Sequence, residues 1–183
     1  MVKLRATEID GVVEILPRRI GDERGFFSEV WNRAQWAEAG IDLDFVQDNH
    51  SSSASGVLRG LHYQLAPAAQ AKLVRCNRGA IFDVAVDIRR SSPTFGRWVG
   101  RTLSATAWNQ LLVPAGFAHG FLALEEGSEV QYKVDAPYSA AHDRALAADD
   151  RAIGIDWPLE REHWTRSAKD MAAVGLAAAD LFD

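Results

Sequence analysis

Two of the five histidines stand where they could do chemistry: His62 in Gly60-Leu61-His62-Tyr63-Gln64, and His119 in Pro114-Ala115-Gly116-Phe117-Ala118-His119-Gly120-Phe121. The first lies inside an expected strand and the second where a turn feeds one. An imidazole on such a strand serves as a metal ligand, a proton-transfer group or a hydrogen-bonded core residue. The two stretches alone leave all three readings open. A zinc or iron site on strands calls for two histidines one residue apart, with a carboxylate and a further histidine. Here the position after next is Gln64, a weak neutral ligand, and no glutamate follows within the next several residues. A bound metal is therefore not expected.

Other chemistries have less support. There is no G-x-G-x-x-G and no Walker-type loop, and Gly21-Asp22-Glu23-Arg24-Gly25 lacks the spacing and strand-then-helix context of a phosphate cradle. Trp31, Trp36, Trp98, Trp108, Trp157 and Trp164 form no stripe, and read as core or interface residues rather than sugar-stacking platforms. Cys76 is the only cysteine, so an intrachain disulfide and a thiolate zinc cluster are both excluded.

The elements that must position these side chains follow a period of two. Over Ile81–Ile88, one face carries Phe82, Val84, Val86 and Ile88, and the other carries Ile81, Asp83, Ala85 and Asp87. That is a strand with one dry face and one face lined by carboxylates. Val130, Tyr132 and Val134 share a face opposite Glu129, Gln131, Lys133 and Asp135. Further strands are expected at Val12–Leu16, Phe26–Trp31, Gly56–Gln64, Lys72–Cys76, Trp98–Leu103, Gln110–Val113 and Gly120–Leu124. Breakers such as Asn77-Arg78-Gly79, Ser91-Ser92-Pro93, Pro114-Ala115-Gly116 and Glu125-Glu126-Gly127 separate them. Many short strands punctuated by turns indicate an all-β sandwich or barrel. Helices are expected only at the edges: one from a cap at Asn32 to about Ala39, one over Ala168–Val174 opened by Ser167 and Asp170, and a turn or two over Ala177–Phe182.

A chain of 183 residues with 48% hydrophobic and 25% charged residues fits one globular domain, here 1–183, that needs no staple to hold a core. A net charge of -5 gives nucleic-acid binding no electrostatic footprint. Met1–Asp10 mixes Lys3, Arg5, Glu8 and Asp10 without an apolar run, unlike a secretory signal. No stretch approaches the ~18 apolar residues of a membrane span. The cytoplasm is the default compartment.

A resemblance then emerges from several long motifs in collinear order. Phe45-Val-Gln-Asp-Asn-His-Ser, Gly56-Val-Leu-Arg-Gly-Leu-His-Tyr-Gln, Ala71-Lys-Leu-Val-Arg and Phe82-Asp-Val-Ala-Val-Asp resemble the dTDP-4-dehydrorhamnose 3,5-epimerase family. So do Ser92-Pro-Thr-Phe-Gly-Arg-Trp, Pro114-Ala-Gly-Phe-Ala-His-Gly-Phe and Gly154-Ile-Asp-Trp-Pro-Leu, the match running from about Asp22 to Pro158. The resemblance implies a cupin-type jelly roll, a homodimer, no metal or other cofactor, and a dTDP-4-keto-6-deoxyhexose substrate.

The implied reaction removes a proton from a carbon beside a ketone and returns one from the opposite face. It needs a base, an acid across from it, and a cation at the enolate oxygen. By resemblance His62 is the base, paired with Asp170, and an imidazole titrating near neutrality suits that task. Asp170 also reads as the helix cap, and one carboxylate can do both. Tyr132 matches the general acid; its other reading is an inward core tyrosine. Lys72 is the natural enolate stabiliser, although its sequence context alone reads as an exposed strand lysine.

Substrate contacts are implied by the same resemblance. Arg24 and Glu29 match positions on an N-terminal strand that reaches the partner subunit's site. Gln47, Asn49 and Arg59 match contacts to the nucleotide and its phosphates, to which arginine's fork is suited. His119 and Lys169 match further substrate contacts, and Tyr138 matches an aromatic that stacks on the thymine. The shorter Asp143 stands where the family pattern has glutamate, and Ala145-Leu-Ala-Ala-Asp lacks the usual glycine and tryptophan. Strict alternation puts Arg59 and His62 on opposite faces, so either a bulge intervenes or they address different parts of the ligand. Three readings compete with a 3,5-epimerase: a 3-epimerase, a non-catalytic cupin that binds a nucleotide sugar, and a metal-dependent cupin oxygenase, which Gln64 disfavours.

Overall fold

The structure, a computed structural model, describes residues 2–183. Its strands are β1 (Lys3–Ala6), β2 (Val13–Leu16), β3 (Arg19–Asp22), β4 (Gly25–Ser28), β5 (Gln47–Ser53), β6 (Leu58–Gln64) and β7 (Lys72–Arg78). They continue with β8 (Ala80–Asp87), β9 (Trp98–Ser104), β10 (Gln110–Val113), β11 (Phe117–Ala123), β12 (Ser128–Val134) and β13 (Asp143–Ala145). A six-stranded sheet of order β1-β2-β10-β7-β12-β5 faces a five-stranded sheet of order β13-β6-β11-β8-β9. Every pairing in both sheets is antiparallel, so the two form an all-β sandwich of the jelly-roll kind. β3 and β4 make a separate hairpin.

The alternation read in the sequence becomes three apolar layers. Val74, Cys76, Ile81, Ala85, Leu111, Phe121 and Val130 fill the space between the sheets. Val84 and Val86, on the dry face of β8, and Ile88 just after it lie outside the five-stranded sheet. There they are covered by Leu146, Ala148, Ile153, Leu176 and Ala179 from the largely irregular chain that follows β13. A smaller layer outside the other sheet sets Ile15, Leu73 and Leu112 against Trp36 of helix α1 (Arg33–Glu38), which Asn32 caps by accepting the amide of Gln35. The carboxylate face of β8 therefore turns inward: Asp83 and Asp87 are both fully buried.

Helix α2 (Ala168–Met171) is shorter than the expected Ala168–Val174. The reason is tertiary: Val174 bridges Leu146 and accepts the amide of Ala147, drawing the backbone out of the helix. Ala177–Phe182 likewise holds only the end of a 3-10 turn, Leu176–Ala178, before Phe182 bridges Arg89.

Asp87 explains the Ser92-Pro93-Thr94 motif. Its carboxylate accepts hydrogen bonds from Arg89 (2.7 and 2.9 Å), Ser92 (2.6 Å) and Thr94 (2.6 Å). Burial alone would raise this acid, but these donors outweigh it and hold the pKa at about 2. An acid depressed in the folded state stabilises above its unfolded pKa, and that stability is lost as pH falls through the folded value. The network should contribute about 2 kcal/mol at neutrality, declining between about pH 4 and pH 2. Urea unfolding at pH 7 and pH 3 should show Asp87→Asn well below the native chain at pH 7 and much closer to it at pH 3. A pH-independent gap would contradict this.

Candidate active site

A cleft of about 470 Å³ opens between the two sheets and is walled by both of them. The six-stranded sheet contributes Gln47 and Asn49 of β5, Lys72 of β7 and Tyr132 of β12. The five-stranded sheet contributes Arg59 and His62 of β6, His119 and Phe121 of β11 and Asp143 of β13, while α2 supplies Lys169 and Asp170. Tyr138 enters from the loop after β12.

Arg59 and His62 reach one cleft through a bulge. His119 pairs with His62 but Phe121 pairs with Arg59, so Gly60 and Leu61 oppose Gly120 alone. This resets the alternation. Gly60 has φ +127, and a Cβ there would meet the Cα of Gly120 at 2.6 Å; a Cβ on Gly120 would meet the carbonyl oxygen of Arg59 at 2.7 Å. Two glycines thus make the backbone contact that brings His62 and Arg59 into one cleft.

His62 is held at 2.7 Å, Nε2 to Oδ1 of Asp170. An ionised carboxylate only accepts, so the neutral ring carries its proton on Nε2 and leaves Nδ1 as its basic atom. Asp170 accepts a second bond from the hydroxyl of Ser167 at 2.8 Å, and its own amide donates to that hydroxyl at 3.1 Å. Burial would raise the Asp170 acid, but His62 and Ser167 outweigh it and hold the acid below its ordinary value. Ser167 is the helix N-cap, and Asp170 is at once the partner of that cap and of His62.

Lys72 is 7% exposed, and its ammonium donates to the backbone carbonyl of His62 at 3.0 Å, reaching across from the opposite sheet. Burial pulls its pKa down to about 8, with Asp83 and Asp143 opposing that fall and Lys169 adding to it. The exposed-strand-lysine reading is thereby excluded. Tyr132, half-buried beside Asn49 and Val74, has its hydroxyl raised by burial, with Arg59 pulling the other way. It holds its proton at neutral pH.

Around this centre lie polar groups with internal partners. Gln47 donates to Asn49 Oδ1 at 2.8 Å and accepts the amide of Tyr138 at 3.2 Å. Arg59 donates to Ser53 and to the carbonyl of Ser52. Asp143 accepts from the Tyr138 hydroxyl at 3.2 Å and pairs with Lys169, so the shorter acid still links the two elements across the mouth of the cleft.

Arg24 and Glu29 do not line this cleft. Arg24 sits at the tip of the β3–β4 hairpin paired with Asp22, and Glu29 follows β4 and accepts from Gln35. The hairpin projects Ile20, Phe26 and Phe27, each at least half exposed.

Among the residues in or behind the site that the sequence did not single out for it, three stand out. Asp83 holds His119 Nε2 at 2.8 Å, a second buried histidine–carboxylate pair, and its Oδ2 has no partner. The carboxylate face of β8 was the available signal. Gln64, weighed only as a metal ligand, instead donates to the carbonyls of Ala68 and Pro137 and accepts the amide of Ser139, anchoring the Tyr138 loop. Phe121 had no signal beyond strand alternation. Among the described residues no group of three or more His, Cys, Asp and Glu side chains converges as a metal site would require.

The family model for dTDP-4-dehydrorhamnose 3,5-epimerase matches residues 6–178. A dTDP-4-dehydrorhamnose 3,5-epimerase of Sinorhizobium fredii is 59% identical over 164 residues, 88% of this chain and 83% of its own. The fold is similar to a dTDP-6-deoxy-D-glucose-3,5-epimerase of Legionella pneumophila in complex with dTDP-4-keto-L-rhamnose, at TM-score 0.94 and 45% identity over 98% of this chain and 95% of that one. It is also similar to a 3'-monoepimerase of Streptomyces bikiniensis in complex with dTDP-quinovose, at TM-score 0.87 and 34% identity over 93% and 86%.

Proposed function

The chain belongs to the dTDP-4-dehydrorhamnose 3,5-epimerase family, and from that premise we propose how its own residues carry the reaction. The enzyme inverts carbons 3 and 5 of dTDP-4-dehydro-6-deoxy-D-glucose to give dTDP-4-dehydro-β-L-rhamnose, in dTDP-L-rhamnose biosynthesis. His62 Nδ1 takes the proton beside the ketone, Asp170 holds the ring and stabilises the imidazolium, and the Lys72 ammonium lies against the developing enolate oxygen. Tyr132 returns a proton from the other side. One observation carries this reading: His62 stands on β6 of one sheet and Tyr132 on β12 of the other, so base and acid face the substrate from opposite walls. Product analysis by NMR tests it, since inversion at both carbons yields the L-sugar. A product inverted at carbon 3 alone would move the chain to the monoepimerase type.

Gln47, Asn49, Arg59, His119, Tyr138, Asp143 and Lys169 hold the substrate, with Arg59 and Lys169 as the cations suited to the diphosphate. Residues 1–183 act as one cytoplasmic domain; among the described residues no helix is long and apolar enough to cross a membrane. Arg24 and Glu29 act in the partner's cleft of a homodimer. The exposed aromatic hairpin that carries Arg24, outside its own cleft, supports this. Mixing inactive Arg24→Ala and His62→Ala chains should restore up to about a quarter of wild-type activity, because random pairing makes half the molecules heterodimers with one intact site of two. No recovery after subunit exchange would contradict the shared site.

A further inference from the structure

Among the described residues, Phe121 is the one that lines the cleft of a single subunit with a side chain carrying no polar atom. It is 4% exposed, seated in the layer between the sheets with Cys76, Ile81 and Val130, against which Tyr132 also packs. In register it stands opposite Arg59 on β6 and Asp83 on β8, two residues from His119. Neighbouring Gly120 is locked by backbone contact, so the ring has little freedom to withdraw. A rigid apolar surface in a polar cleft implies an apolar group on the ligand.

A 4-keto-6-deoxy sugar offers one such group, the methyl on carbon 5. Its other ring substituents are hydroxyls, the ketone and the phosphate oxygen. Inverting carbon 3 moves a hydrogen and a hydroxyl, which polar walls can follow with hydrogen bonds. Inverting carbon 5 swings the methyl across the ring. Against polar walls that motion would strip water from groups that gain no partner. We propose that Phe121 seats the carbon-5 methyl and is the specificity-determining residue for inversion at carbon 5 as distinct from carbon 3. This rests on the epimerase reading above.

The test follows solvent deuterium entering carbons 3 and 5 of dTDP-4-dehydro-6-deoxyglucose in one reaction, so carbon 3 is an internal control for folding, binding and the proton-transfer groups. Phe121→Ala should lower the ratio of carbon-5 to carbon-3 exchange about tenfold or more, the range expected when a small apolar contact is lost. Phe121→Leu, which keeps an apolar wall, should stay within about threefold of the native ratio. A second measurement needs no variant. The native enzyme given dTDP-4-dehydroglucose, with hydroxymethyl in place of methyl, should also lose carbon-5 exchange about tenfold relative to carbon 3, because the hydroxyl meets the ring unpaired. Equal losses at both carbons in Phe121→Ala, or an unchanged ratio with the hydroxymethyl substrate, would overturn the assignment to Phe121 and leave the epimerase standing. Absence of exchange at carbon 5 in the native enzyme with its own substrate would overturn both.

Discussion

His62→Ala is expected to lower exchange at carbons 3 and 5 together by roughly 10²–10⁴-fold, the usual contribution of a positioned base. The two carbons fall together because the cleft offers one imidazole on the β6 wall with a free basic nitrogen and a carboxylate behind it. Of the other imidazoles lining the cleft, His119 is bonded to Asp83 on the same sheet and His50 lies against Glu129 on the opposite one. Binding of dTDP should change little, since the groups assigned to the nucleotide and diphosphate (Gln47, Asn49, Arg59, Tyr138 and Lys169) are all retained. Tyr132→Phe provides the contrast. It removes the acid and keeps the base, so proton removal continues and deuterium still enters from the His62 side, while net inversion is suppressed. Full turnover in His62→Ala would remove it as the base, and native product yield from Tyr132→Phe would place the acid elsewhere.

Lys72→Met should lose activity and gain stability. Removing a fixed charge from a developing oxyanion lowers turnover by roughly 10²–10³-fold. The opposite effect on folding follows from burial. The Lys72 pKa is about 8 in the folded chain against an ordinary 10.5, a difference worth about 3 kcal/mol of ammonium desolvation. Between those values the unfolded chain binds more protons, so the native stability curve should rise with pH from about 8 to about 10.5, and neutral pH lies on the side where the full penalty is felt. Methionine fills similar space without charge, and the variant should be more stable at pH 7 by about 1–3 kcal/mol after allowing for the lost bond to the His62 carbonyl. In the native enzyme turnover should decline as pH rises past about 8, where the ammonium deprotonates. Chemical denaturation at pH 7 and a pH–rate profile read both halves. A destabilised Lys72→Met would mean that the lysine's partners already compensate its burial.

The strands that build the centre of the sandwich were legible because their alternation meets an apolar layer on at least one side. β8 is the clearest case, with Val84 and Val86 under the C-terminal cover and Ile81 and Ala85 between the sheets. β5 was not legible as a strand. Gln47, Asn49, His50 and Ser51 line a polar cleft while Asp48 and Ser52 are exposed at a sheet edge, so no hydrophobic period exists to read. β1 is another edge strand, β3 belongs to an exposed hairpin, and three-residue β13 is too short for any pattern.

For the site, resemblance brought forward the residues that meet in the cleft, but their physical states are tertiary facts. The placement of Arg59 beside His62 depends on Gly60 meeting Gly120 from another strand. Lys72 reads as exposed in its own segment and is buried only because the two sheets close over it. Asp83 was visible only as one of the carboxylates on a face of β8; that this face is buried and meets His119 of β11 is a tertiary fact.

The measurement that bears most directly on a single base and acid working across the sandwich is deuterium uptake from heavy water into dTDP-4-dehydro-6-deoxyglucose, followed by NMR at carbons 3 and 5. The native chain should label both carbons and deliver the doubly inverted sugar, with both signals lost in His62→Ala. Label at neither carbon from a chain that still binds dTDP would contradict the account, leaving a nucleotide-sugar-binding sandwich without the chemistry.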